Sequence, residues 1–329
     1  MNNIYKDYNY LWLARCYYKL GNEEIASKYS DYYRFEPLNM FTFHIADSLY
    51  CKSETLIECD SIDAGLAIMR YCVNIVNKLD HDKYQWVDIR LPSIVRICMT
   101  HKRYEEALYL SLLILEANSE LFSEKNSSIL QCYVDFLLLY GINEDYLNAI
   151  RYGQKAISLI KSSNDQSNIE VSVSKTLLNM LSRQTVLFIN AGNLKSAAEL
   201  RDQAIVTFKN LAANNDMNTI SELHNISHTY SENKMCGEAI KTESVLVEVL
   251  PLALPDNFID YALYLNDLSV YCFCNDNIVL AEKHIDKALS LIKNENNVNL
   301  AIIYVRAAEI YQKTNPRRTD LSIKYQKTS

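Results

Sequence analysis

The 329-residue chain holds 33 Lys and Arg against 40 Asp and Glu, a net charge of −7, and that balance argues against non-specific nucleic-acid binding, which needs a basic surface to displace counterions. Six Gly and five Pro are about 3% of the chain where average usage is about 12%, too few turn formers for a strand-rich fold. Nine scattered cysteines, an odd number in a long chain, argue against a small disulfide-built secreted scaffold.

The N-terminus, Met-Asn-Asn-Ile-Tyr-Lys-Asp-Tyr, has neither a basic nor an apolar signal region, and apolar runs such as residues 133–140 fall well short of the ~20 residues that span a bilayer. The expectation is a cytoplasmic protein with free thiols. In residues 10–37, Tyr10, Leu13, Ala14 and Tyr17 share one helix face. Gly21-Asn22 supplies a helix-ending turn, Glu23-Glu24 opens a second helix, and Ala26 falls where two paired helices approach most closely.

That alanine returns as Ala64, Ala107, Ala149, Ala197, Ala239 and Ala281, at gaps of 38, 43, 42, 48, 42 and 42 residues from Ala26 onward. Regular self-similarity of this length marks a solenoid whose units bury their apolar faces against one another. The copy around Ala64 has drifted, with Ser48, Cys51 and Lys52 where bulky, apolar and small residues are expected. Tyr133, Phe136 and Tyr140 precede Ala149, Gly153 and Ala156. The polar run at residues 161–168 reads as a longer connection and a candidate joint. Gly192, Ala197 and Ala204 follow. Next come Leu223, Ile226, Ser227, Tyr230 and Ala239, then Leu265, Leu268, Ser269, Ala281 and Ala288. A last copy begins at Tyr304, Ala307, Ala308 and Tyr311, with Ser322 in the alanine's place. This copy, residues 301–329, reads as truncated, and the expectation is that an effector domain once followed it.

These residues resemble the tetratricopeptide repeat (TPR), and the ~42-residue period is similar to that of the kinesin-light-chain subtype. Tyr261-Ala-Leu-Tyr-Leu-Asn-Asp-Leu268 resembles that subtype's first-helix signature. The resemblance spans essentially the whole chain. It implies an all-α, right-handed α-solenoid of about seven to eight helical hairpins, forming one superhelical domain over residues 1–329. It also implies a non-enzymatic scaffold that binds a protein or peptide on its concave face. The alternative is a regulatory or sensor arm of a larger signalling protein, or of a CHAT-type protease, a domain that such repeats often precede in bacteria.

Carried onto this chain, the family's groove positions are Tyr8, Leu11, Arg15, Tyr18, Arg96, Asn179, Asn190, His224, His228, Asn266 and Phe273. Their amides, cations and rings suit an extended peptide's backbone, carboxylates and side chains. His224 and His228 stand four apart on one helix face, yet the Asn-Ile-Ser between them lacks a zinc protease's Glu and no third ligand is evident, so no metal site is expected. No Gly-rich phosphate loop and no glycine-flanked cysteine occurs, so neither cofactor nor catalytic residue is assigned.

Overall fold

The computed structural model describes residues 37–76, 83–121, 127–162, 167–213, 219–253, 257–292 and 301–314, and every regular element among them is an α-helix. The chain divides into two compact units, Met1–Ser123 and Glu124–Ser329. In the first, α1 (Pro37–Glu58) pairs with α2 (Ile62–Val76), and α3 (Lys83–Thr100) with α4 (Tyr104–Leu121). In the second, the pairs are α5 (Ser127–Ile142) with α6 (Tyr146–Ser162), α7 (Ser167–Asn190) with α8 (Leu194–Ala213), α9 (Ile220–Glu232) with α10 (Cys236–Ala253), and α11 (Phe258–Cys274) with α12 (Ile278–Leu291). Helix α13 (Ala301–Thr314) packs on α11 and α12. The first helix of each hairpin is called A and the second B. In the second unit A helices neighbour A helices (α5–α7, α7–α9, α11–α13) and α8 neighbours α10, so the unit is a two-layer stack.

Each hairpin turns through one residue with left-handed backbone: Asp60, Lys102, Glu144, Gly192, Lys234 and Asp276, at φ of 63°, 59°, 60°, 74°, 61° and 56°. The residue after it donates its backbone N–H five residues back, as in Arg103 to Cys98 O at 2.8 Å and Met235 to Tyr230 O at 2.9 Å. This is the Schellman closure, which satisfies carbonyls left over at a helix end. The glycine turn expected at Gly21-Asn22 lies outside the described residues; of the six described turns five hold Asp, Lys or Glu, which explains how these hairpins are built with so little glycine. The next helix starts at once: Asp145, Asn193 and Asn277 side chains accept the N–H of Asn148, Ser196 and Leu280.

Four residues beyond each of those helix-starting positions lies the pivot where the paired helices touch. Ala107, Ala149, Ala197, Ala239 and Ala281 occupy it with no exposed surface. In α2 the register differs from the sequence expectation. Ala64 is exposed, and Gly65 is the buried pivot, its N–H bonded to Ser61 O as Ala107's is to Arg103 O. A Cβ on Gly65 would stand 2.5 Å from Ile57 Cγ1 and 2.8 Å from Ser53 O, so this crossing is closer than an alanine permits. With Gly65 in place the pivot spacing becomes 42, 42, 48, 42 and 42.

The expected loop at residues 161–168 is narrowed at both ends. Lys161 and Ser162 end α6, while Ser167 and Asn168 open α7. The longer gap is taken up by α7 itself, at 24 residues against 16 for α5 and 17 for α11.

Candidate functional site

The A helices of the second unit are tied together by polar side chains one repeat apart. Asn179 Nδ2 of α7 donates to Glu222 Oε1 of α9 at 2.5 Å, and Ser182 Oγ donates to the Glu222 carbonyl at 2.9 Å. Asn233 Nδ2 donates to Asn190 Oδ1 at 3.3 Å. His224 Nε2 lies 3.9 Å from Asp267 Oδ2 on α11. In the first unit Arg90 of α3 bonds Asp47 of α1 at 2.7 Å. In each of the pairs 47/90, 179/222, 190/233 and 224/267 the partners are 43 residues apart, one more than the pivot period, so each rung joins neighbouring rather than equivalent positions.

The structure thus places the expected groove residues in different settings. Asn179 and Asn190 sit on the A layer in the bonds above, with Asn190 exposed. Arg96 is exposed on α3. His228 is exposed, with Nδ1 3.6 Å from Glu232 Oε2 one turn on. Phe273 is half-buried beneath Lys313, whose ammonium stands 4.6 Å from its ring centre. Asn266 is 2% exposed, with Nδ2 turned onto Asp267 Oδ1 at 3.1 Å. Tyr8, Leu11, Arg15 and Tyr18 lie outside the described residues.

What sequence reasoning missed is Glu243. Four residues after the pivot, the B helices carry Met69, Ser111, Gly153, Arg201, Glu243 and Ile285, all buried. A carboxylate in that slot was the signal available in the sequence. Glu243 has no exposed surface, and its oxygens receive Ser227 Oγ and lie 3.1 and 3.3 Å from His224 Nδ1. Burial raises the Glu243 pKa, and His224 and Ser227 only partly offset it. At His224 burial opposes charge, but the bond and attraction to Glu243, with Asp267 adding, hold the imidazole's pKa above its usual value. Burial likewise raises Asp267. Tyr264 packs edge-on to the imidazole, 5.2 Å between centres. One ligand atom from each of His224, Glu243 and Asp267 lies within 4.8 Å of the others.

Six hairpins that turn through one left-handed residue, and cross at a buried Gly or Ala every 42 residues with one gap of 48, decide the fold. Each unit is all-α among its described residues and built of paired helices, and the hairpins resemble tetratricopeptide-like repeats. No family model matches the chain, and no curated protein matches it. Among solved structures it is similar to a putative kinesin light chain TPR-like repeat protein from Podospora anserina, at 13% identity over 63% of this chain and 96% of that one, TM-score 0.38. It is also similar to the TPR2AB domain of yeast Sti1 in complex with an HSP90 peptide, at 13% identity over 87% and 90%, TM-score 0.35. A third is a signal-transduction ATPase with a tetratricopeptide repeat sensor from Pyrococcus horikoshii, at 12% identity over 87% and 43%, TM-score 0.41. Among the described residues, no helix is long and apolar enough to cross a membrane.

Proposed function

We propose that this TPR-like chain is a non-enzymatic scaffold that holds an extended peptide or protein segment along the A-helix layer of its second unit. The supporting observation is the row of half-buried and exposed polar groups on successive A helices, Asn179, Asn190 and His228, ending at the ring of Phe273. Amides held in place by cross-hairpin bonds meet a peptide backbone with little ordering left to lose. Three buried cysteines fit the non-enzymatic reading: burial pushes the Cys72, Cys98 and Cys272 thiols up to about 11, which leaves little thiolate on them at neutral pH.

The test is selection from a random linear peptide library on the purified chain, followed by titration of the enriched peptides against an Asn179→Ala/Asn190→Ala/Phe273→Ala variant. The expected result is enrichment of a common motif, with binding at least about tenfold weaker for the variant, a loss of ~1.4 kcal/mol. No enrichment, or equal affinity for a variant with unchanged circular dichroism, overturns the reading.

A further inference from the structure

His224 and His228 lie one turn apart on α9, with ring centres 6.2 Å apart, and the sequence offered no third partner. The fold supplies one from the next hairpin. Asp267 Oδ1 is occupied by the Asn266 amide, which leaves Oδ2 on the side of His224 Nε2, 3.9 Å away. That separation is beyond a hydrogen bond and short enough for a shared ion about 2.1 Å from each atom, at an angle wider than tetrahedral that closes to it when the two atoms approach by about 0.5 Å. Behind the imidazole stands the fully buried Glu243 carboxylate, 3.1 Å from Nδ1. A carboxylate there accepts a hydrogen bond from Nδ1–H, which fixes the ring and leaves the Nε2 lone pair pointing outward, as behind metal-bound histidines generally.

Two observations set this cluster apart from an ordinary buried ion pair. The first is convergence: carboxylates from two different hairpins, Glu243 and Asp267, face the two nitrogens of one imidazole, with a ligand atom of each of the three within 4.8 Å of the others. Arg306 of α13 also acts on Asp267, but its guanidinium bonds Glu309 at 2.7 Å. The second observation is the Asn266 amide, 2% exposed and held against Asp267. Its Oδ1 is buried without a hydrogen-bond partner among the described residues, an unsatisfied acceptor on the residue next to Asp267.

We propose that His224 Nε2 and Asp267 Oδ2, with His228 as third ligand and Glu243 positioning His224, bind a divalent transition-metal ion of the zinc class. Nitrogen and carboxylate donors at this spacing suit zinc over calcium or magnesium, which take oxygen ligands. His228 is exposed, with 56% of its side-chain surface open, so its ring swings from Glu232 toward the ion without disturbing the core. Three protein ligands leave a fourth position for water or for a carboxylate of a bound segment. The site goes beyond the peptide-binding reading, and its readout is metal affinity alone, so failure of one does not touch the other.

The experiment is isothermal titration of the metal-stripped full chain with zinc chloride, with cobalt(II) absorption as a second probe. The expected result is one saturable equivalent and a cobalt spectrum without a thiolate charge-transfer band. Affinity falls at least about tenfold in Asp267→Asn and His224→Gln, and 10–100-fold in the positioning variant Glu243→Gln. His284→Ala, on α12, titrates as wild type. Each variant's circular dichroism and melting point are taken in chelator, so that loss of fold is separated from loss of ligand. No saturable binding, binding that persists unchanged in a folded Asp267→Asn or His224→Gln chain, or a thiolate band that places the ion on cysteines, overturns the proposal.

Discussion

The guanidinium of Arg201 stands 5.8 Å over the ring of Tyr230 while it bonds Glu238 of the next B helix. Its side chain is 7% exposed, so the cation is held inside the stack by Glu238, by Asp202 at 2.7 Å and by the ring face. Arg201→Ala is expected to cost about 2–4 kcal/mol, because it removes packing over Tyr230 and leaves Glu238 without its buried partner. Chemical denaturation of the two proteins checks this. A loss below about 1 kcal/mol would mean that the pair is no more than a surface bridge.

The five hairpin turns closed by a non-glycine residue hold backbone strain of about 1 kcal/mol each. Lys234→Gly and Glu144→Gly, both at exposed positions, are expected to raise the melting temperature, by an amount equivalent to ~0.5–1 kcal/mol after the added freedom of the unfolded chain is subtracted. A Gly192→Ala change at the corresponding turn lowers it.

Gly65→Ala is expected to destabilise by about 1–3 kcal/mol. Helix propensity favours alanine by about 1 kcal/mol, but a methyl group 2.8 Å from the Ser53 carbonyl forces the backbone of α1 to move. Ala64→Ser, one residue away on the exposed side, should leave the midpoint of unfolding unchanged. Equal effects at the two positions would refute the pivot register.

Asp135 gives a pH signature. Burial lifts its pKa from 3.8 to about 6, against the opposing hydrogen bond from Gln131 at 2.9 Å. A carboxyl with a raised folded pKa contributes stability below its unfolded value, and that contribution is lost as pH rises to about 6. Asp135→Asn is therefore expected to be more stable than wild type by about 3 kcal/mol at pH 7–8, with the gap closing between about pH 6 and 4. Denaturation across that range measures it. A constant gap would place the effect outside ionisation.

The repeat was legible because burial against a neighbouring hairpin demands a small residue at one spacing, and Ala107 through Ala281 keep it. The slip at Ala64 arose because alanine is also common on exposed helix faces, while glycine, equally small, stands beside it at 65. Non-glycine turns left no sequence trace, since Lys, Glu and Asp take left-handed backbone only where the surrounding fold imposes it. The His224 pairing was half legible. Its i, i+4 mate is written locally, but Asp267 comes within reach only through the packing of consecutive hairpins, and Glu243 shows only once the B-helix slots are aligned.

The offset of the polar rungs bears on how such an array diversifies. Counted back from the hairpin turns, Asp47 and Asn179 occupy one position, and their partners Arg90 and Glu222 another. The same rung is an ion pair in the first unit and an amide–carboxylate bond in the second. A duplication or recombination that set the α1/α2 hairpin before α9 would bring Asp47 against Glu222, two like charges. The hairpins are therefore not interchangeable bricks. Their order is encoded at the seams, and covarying substitutions in homologous chains should appear at an offset of 43 rather than at the period.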